Sequence, residues 1–590
     1  MRAHSRRLLT AGLALAALVS GLSLAPASAA AADEPSLNGT WKLVQLRLAE
    51  VELLSLDVKQ TDDKITAFIL EPAQLRDNPV KTFERKGDTV NVAFSVNGNQ
   101  VNFTGRATKD NKYLGTISLS NQLLPAWLVK TDDKILAQPR PPEALFKALN
   151  SMDQVKDPKG KANKLAEIVH GTAGDARFSL LYADLLRYAS VAEEPAATMR
   201  KYADEWMKSA EPHGPDWSEY VRTQVLKALS DKKPYADLAL EWAEQAEKQF
   251  TPATTLEVRA DVIKALASAA KLVGKPEILA RAEAQSKKLE SELDEDYHKK
   301  VPPFKPEVSE GRKGKAGDRV VLLELFTGAQ CPPCVAADVA FDALNASYKP
   351  SELLTLQYHL HIPGPDPLTS PGAIARQEYY TDLRGTPAAY FNGRLHKGGG
   401  GGMAQSKAKY DEYREVVDTV LEQKKRATIE LHVERAGDEL KISASAQAKS
   451  TETEEKEDAK GEGKDKVADS KDGIRLRLVL AEEQIKYLGG NKLRFHHHVV
   501  RAMPGGADGK ALSNGEGKVE VTVKLSEVRN ELDKYLDSFV KENGGFPNPR
   551  PPIDLKNLTV VAFVQDDSNK AVLHAVSAPV ADAKGEGAGE

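Results

Sequence analysis

The chain has 590 residues, more than one hydrophobic core can hold, and a prior of roughly 150 residues per domain gives three or four. Its formal charge of -4 comes from 81 basic and 85 acidic residues interspersed along it, which leaves no basic footprint for nucleic acid. With two cysteines in all, the fold is not one stapled by disulfides, and stability must come from ordinary cores.

Residues 1–29 have a basic start, an apolar run from Leu8 to about Ala25, and Ala27-Ser28-Ala29 as a cleavage signal. This predicts a secretory signal peptide and a periplasmic or secreted protein, with a retained membrane anchor as the alternative reading. Arg6-Arg7 before Leu8-Leu9 also fits part of the twin-arginine pattern, a route for folded cargo. No later stretch is long and apolar enough to span a bilayer, so no integral membrane span is expected in the mature chain.

From 36 to 138, short alternating runs such as KITAFIL, TVNVAFSV and YLGTISLS predict a small antiparallel β-barrel, with Asn97-Gly98 as a hairpin turn. Its Gly39-Thr40-Trp41 resembles the opening of lipocalin-like barrels. Such a barrel either holds a small ligand or is filled by its own side chains, and the filled form is expected here. From 141 to 301 the apolar period becomes helical and predicts about eight helices. The helical array resembles a tetratricopeptide-like one, and Trp206 and Trp242 recur in it as expected core residues. Residues 302–319, rich in Pro, Lys and Gly, predict a linker. Residues 320–425 contain both cysteines. Residues 427–580 return to strands and predict an antiparallel β-sandwich, interrupted by a disordered insert at 449–473 that has almost no apolar side chains. The tail 581–590 is expected to be disordered, and Lys397 to Gly402 (KGGGGG) to be a flexible turn rather than a phosphate loop. The fold class is therefore multidomain α+β.

The chemistry concentrates at Cys331-Pro332-Pro333-Cys334. A disulfide closing so small a ring constrains the unfolded chain little, so reactivity explains the pair better than stapling. The apolar run before it reads as a strand and the residues after it as a helix, which puts the cysteines at a helix N-terminus. There the dipole and free N–H groups favour the thiolate of Cys331, and Cys334 lies within reach to resolve a mixed disulfide. The two prolines supply no N–H to the thiolate, which predicts a reducing or isomerising pair rather than a strong oxidant.

These residues, with LLELFTGAQCPPC, LLTLQYHLHIPG, SPGAIARQEYY and RGTPAAYFNGR, resemble the thioredoxin superfamily, specifically its exported bacterial thioredoxin-like proteins. The resemblance covers roughly a hundred residues. It implies a cis bond at Thr386-Pro387 lying against the cysteines, with Thr386 and Pro387 contacting the substrate. It also implies thiol-disulfide exchange without a cofactor, with exported protein substrates or a membrane-bound thiol donor as partners. Thioredoxins proper carry a buried acid six residues before the first cysteine. Here that position is Leu325, and Glu324 could move a proton only if a bulge turned it inward; otherwise it is a structural or surface carboxylate.

Two other functions compete with exchange. A scaffold protein could use the thioredoxin-like and helical parts for binding alone. Copper or zinc could be held by the cysteines with His359 and His361, two apart on one strand face. His496, His497 and His498 are expected to pair across strands rather than to bind metal. The exchange reading requires Cys331 to be reachable and the Thr386-Pro387 bond to be cis beside it.

Overall fold

In a computed structural model the described residues are 36–581, apart from 62–63, 97–98, 109, 120–121, 141, 153, 172–174, 315–316, 449–472 and 544. The signal segment, the Asn97-Gly98 turn, nearly all of the insert and nearly all of the tail thus lie outside them. Among the described residues no helix is long and apolar enough to cross a membrane.

Eight antiparallel strands, β1–β8 (Gly39–Leu46, Glu50–Thr61, Lys64–Glu71, Val80–Lys86, Thr89–Val96, Asn99–Ala107, Lys112–Leu119, Gln122–Thr131), form a nearly closed barrel-like sheet. Its order is β3-β2-β1-β8-β7-β6-β5-β4, and β3 and β4 approach each other without a ladder between them. Alternation turns one set of side chains inward, and Trp41, Leu54, Leu56, Val92, Phe94 and Phe103 fill the interior. The Trp41 indole donates to the Leu37 carbonyl at 2.7 Å.

Helices α1–α8 follow (Glu143–Met152, Pro158–His170, Ser179–Val191, Ala196–Ala210, Pro215–Leu229, Ala236–Lys248, Leu256–Val273, Pro276–Lys300). They share one core containing Trp206, Trp217 and Trp242. Barrel and helices touch directly: His213 on the turn after α4 bonds the Gly115 carbonyl at 3.0 Å. The segment 302–319, expected as a linker, is docked along the next unit. Ser309 N–H donates to the Ser347 carbonyl, and the Glu422 carboxylate receives the N–H groups of Lys313 and Gly314.

The rest of the chain contributes β9 (Val321–Thr327), α9 (Val335–Ser347), β10 (Leu353–His359), α10 (Pro371–Tyr379), β11 (Ala388–Phe391), β12 (Arg394–Leu395), α11 (Ser406–Leu421), β13 (Ala427–Ala436), β14 (Glu439–Ala448), β15 (Ile474–Lys486), β16 (Phe495–Ala502), β17 (Lys510–Ala511), β18 (Glu516–Lys524), α12 (Leu525–Asn543), β19 (Leu558–Asp566) and β20 (Val572–Pro579). The expectation of a separate antiparallel sandwich over 427–580 is corrected here. Strands β15, β16, β19 and β20 continue the sheet of the cysteine region in the order β12-β11-β9-β10-β16-β15-β19-β20, and β16 runs parallel to β10. Among the described residues β13, β14 and β18 form a second sheet, which packs on the shared one through Leu440, Ile442 and Leu478. The physical reason is in β9 and β10. All seven residues of each are buried, a pattern that needs cover on both faces and neighbours on both edges. One face packs on α9 and α11 through Leu323, Leu325, Phe341 and Tyr410, and the other carries Leu322, Phe326, Tyr358 and Phe563.

Candidate functional site

Strand β9 ends at Thr327, and three loop residues lead to Cys331. Cys331 N–H donates to the Gly328 carbonyl at 3.0 Å, and Cys334 N–H to the Cys331 carbonyl at 3.1 Å, closing the turn that becomes α9. Pro332 and Pro333 suit such a start because their fixed φ is already helical and the missing N–H groups would be unpaired there anyway. A side chain at Gly328 would run into the Ile362 and Leu360 carbonyls, so glycine lets this loop pass close to the end of β10.

Cys331 and Cys334 are joined as a disulfide. The Thr386-Pro387 bond is cis. The Thr386 hydroxyl lies 3.4 Å from Cys331 Sγ and its carbonyl oxygen 3.8 Å from the same sulfur, so the structure brings Cys331, Cys334, Thr386 and Pro387 together.

Both cysteines are nevertheless 0% exposed, and Cys331 is not reachable in this conformation. Two loops close over the neighbourhood. Gly401 N–H donates to the Pro333 carbonyl at 2.6 Å and its carbonyl receives Ala336 N–H at 2.9 Å. A Cβ on Gly400 would collide with Pro333. The glycine run Lys397 to Gly402, expected to be a flexible turn, is therefore a close-approach segment against the cysteine loop. On the other side, Asn491 N–H donates to the Ala329 carbonyl at 3.0 Å and Gly490 N–H to Gln330 Oε1 at 3.0 Å. Sequence offered no signal for this second cover, because residues 487–493 lie more than 150 positions away.

Glu324 is not turned inward. The β9 ladders run without a bulge, so strand alternation keeps it on the face away from α9. There the Arg376 guanidinium grips it at 2.7 and 2.9 Å, and the Tyr380 hydroxyl donates to it at 2.7 Å. Burial pushes the Glu324 carboxyl up, but the Arg376 charge and these bonds outweigh it and hold it below its ordinary value. Without a bulge the condition set for proton transfer by Glu324 is not met, and the residue is a buried structural carboxylate paired with Arg376.

His359 and His361 go to different partners. His359 is fully buried, with Nδ1 2.8 Å from Asp366 Oδ2 and Nε2 3.1 Å from Gln357 Oε1. His361 stacks on Phe539 of α12 at 3.6 Å between centroids and bonds the Tyr535 hydroxyl, and burial lowers its pKa to about 4. His496 packs edge-on against His359, and His497 bonds Asp342 at 2.8 Å. Among the described residues no group of three or more His, Cys, Asp or Glu is placed to hold a metal ion.

The residue that the sequence reading passed over is Asp338, four positions after Cys334 on α9 and 2% exposed. Its Oδ1 receives the Gln357 amide at 3.1 Å, while Oδ2 has no partner in good hydrogen-bond geometry among the described residues, the Thr327 hydroxyl being its polar neighbour. Burial pushes its carboxyl well above the ordinary range, and Asp342 and Asp366 add to the shift against the hydrogen bonds that lower it. Two acids four apart, Asp338 and Asp342, in the otherwise apolar VAADVAFDAL were the available signal.

No family model matches the chain, and no curated protein does. Among solved structures it is similar to HBP35 of Porphyromonas gingivalis, at 16% identity and a TM-score of 0.30, over 47% of this chain and 80% of that one. A structure of lipovitellin, described for its lipid-protein interactions, matches at 8% identity and a TM-score of 0.11, over 93% of this chain and 61% of that one. At these scores neither likeness carries information on function.

Proposed function

We propose that the protein is an exported thiol-disulfide oxidoreductase built on a thioredoxin-like unit, exchanging disulfides with exported proteins or with a membrane-bound thiol donor. One juxtaposition supports the reading above others: the only two cysteines form a disulfide at the start of a 13-residue helix, with both oxygens of Thr386 beside Cys331. In the exchange, an incoming thiolate forms a bond to Cys331 Sγ, the S–S bond breaks, and its electron pair leaves on Cys334. In the reverse direction Cys334 attacks the mixed disulfide and releases the partner. The helix N-terminus stabilises the Cys331 thiolate. The prolines between the cysteines give it no N–H, which favours a reducing or isomerising role over a strongly oxidising one. The barrel, of lipocalin-like type, and the tetratricopeptide-like helices would supply reach and docking.

The burial of Cys331 favours the second reading, a scaffold in which the pair is inert and the helices recognise partners. Insulin reduction and refolding of a scrambled-disulfide protein decide between them. Activity in the wild type that is lost in Cys331→Ser supports exchange; equal inactivity of the two supports the scaffold.

A further inference from the structure

Resting on the exchange reading, we propose that Asp338 gives a proton to Cys334 when the disulfide opens and takes it back when Cys334 attacks. Cys334 already has helical backbone angles, and residues four apart on a helix share a face with Cβ atoms about 5–6 Å apart. Both side chains are buried, where an unneutralised thiolate is costly. Gln357 occupies one oxygen: its amide donates to Oδ1, which leaves Oδ2 to carry the acidic hydrogen, with the Thr327 hydroxyl also bearing on the carboxyl. Gln357 is held in that orientation by His359 on its own carbonyl, and His359 by Asp366, which also receives Ala329 N–H two residues before Cys331.

The step balances without a further reagent. The donor thiolate bonds to Cys331 Sγ, the S–S pair leaves on Cys334 Sγ, and the Asp338 hydrogen passes to that sulfur. The negative charge that entered with the donor then rests on the Asp338 carboxylate, against the Gln357 amide. The other groups bearing on Asp338 are Thr327 on β9, Asp342 on α9 and Asp366 beyond β10; the two acids favour the protonated state before reaction.

The test is the rate at which a small dithiol reduces the intact protein across pH, in wild type and Asp338→Asn. Asn is nearly isosteric and neutral but has no acidic hydrogen. A roughly 100-fold loss or more is expected in the variant, at the low end of what positioned proton transfer contributes. Its rate should follow only the ionisation of the dithiol, whereas the wild-type profile carries a second inflection. A wild-type disulfide that no native-state dithiol reduces sinks the exchange reading itself. Wild-type reduction with an unchanged rate and profile in Asp338→Asn overturns the role of Asp338 alone.

Denaturation gives a readout independent of rate. A carboxyl raised in the folded state binds its proton there after the unfolded chain has lost it, so the contribution of Asp338 to wild-type stability falls as pH rises above about 4. Asp338→Asn should therefore be more stable than wild type at about pH 7 and no more stable at about pH 3. A variant less stable at neutral pH, or one that fails to fold, overturns the proposal.

Discussion

Glu324 and Asp338 are both buried carboxylates of the cysteine region, yet their surroundings drive them in opposite directions. The Arg376 guanidinium bonds both oxygens of Glu324 and holds its carboxyl below the ordinary value against burial, whereas burial, with two neighbouring acids, pushes the Asp338 carboxyl well above it. Replacing Glu324 by Gln leaves the Arg376 charge buried without a counterion, which costs about 3–5 kcal/mol. The urea midpoint should fall accordingly, and an apolar replacement of both partners should recover most of the loss, while the rate at which a small dithiol reduces the folded protein stays that of wild type. The cysteines were legible in the sequence as a Cys-x-x-Cys between a strand and a helix, and Thr386 and Pro387 only through the resemblance to thioredoxin-like proteins. The direction of the Glu324 side chain was not, since one residue of register decides which face it takes.

At the scale of elements, the cover over the cysteines turns on two glycine loops. Composition alone cannot separate a glycine run that is mobile from one that lies where a Cβ has no room. The run at 398–402 is of the second kind, with Gly400 against Pro333 and Gly401 bonded into the start of α9. Gly400→Ala should strain that contact by about 1–3 kcal/mol and raise the population of the opened loop. Faster native-state reduction of the disulfide and faster alkylation of reduced Cys331 are expected, by about tenfold for each 1.4 kcal/mol. An unchanged rate would mean that access is governed from the 487–493 side.

Across the whole molecule, the shared sheet makes one cooperative body of what the sequence divides at 426. Its face bearing Val479, Ala481, Val561 and Phe563 is covered by elements of the cysteine region. Helix α8 is tied to it by Glu290 and Asp294 against Lys486 and Arg494, at 2.6–2.9 Å. A fragment of residues 302–590 should unfold in a single calorimetric transition, whereas 427–590 alone should show none, because that apolar face would be left in water.

By itself the sequence determined the local elements and the place of the cysteine pair: hydrophobic period separates strands from helices, and a Cys-x-x-Cys between a strand and a helix falls at the start of that helix. Only the tertiary structure decided that β16 lies beside β10, that residues 487–493 shield the cysteine loop, and that Asp338 faces a neutral amide. Those are contacts between segments far apart in the chain, set by which buried surfaces find cover, and no local pattern encodes them.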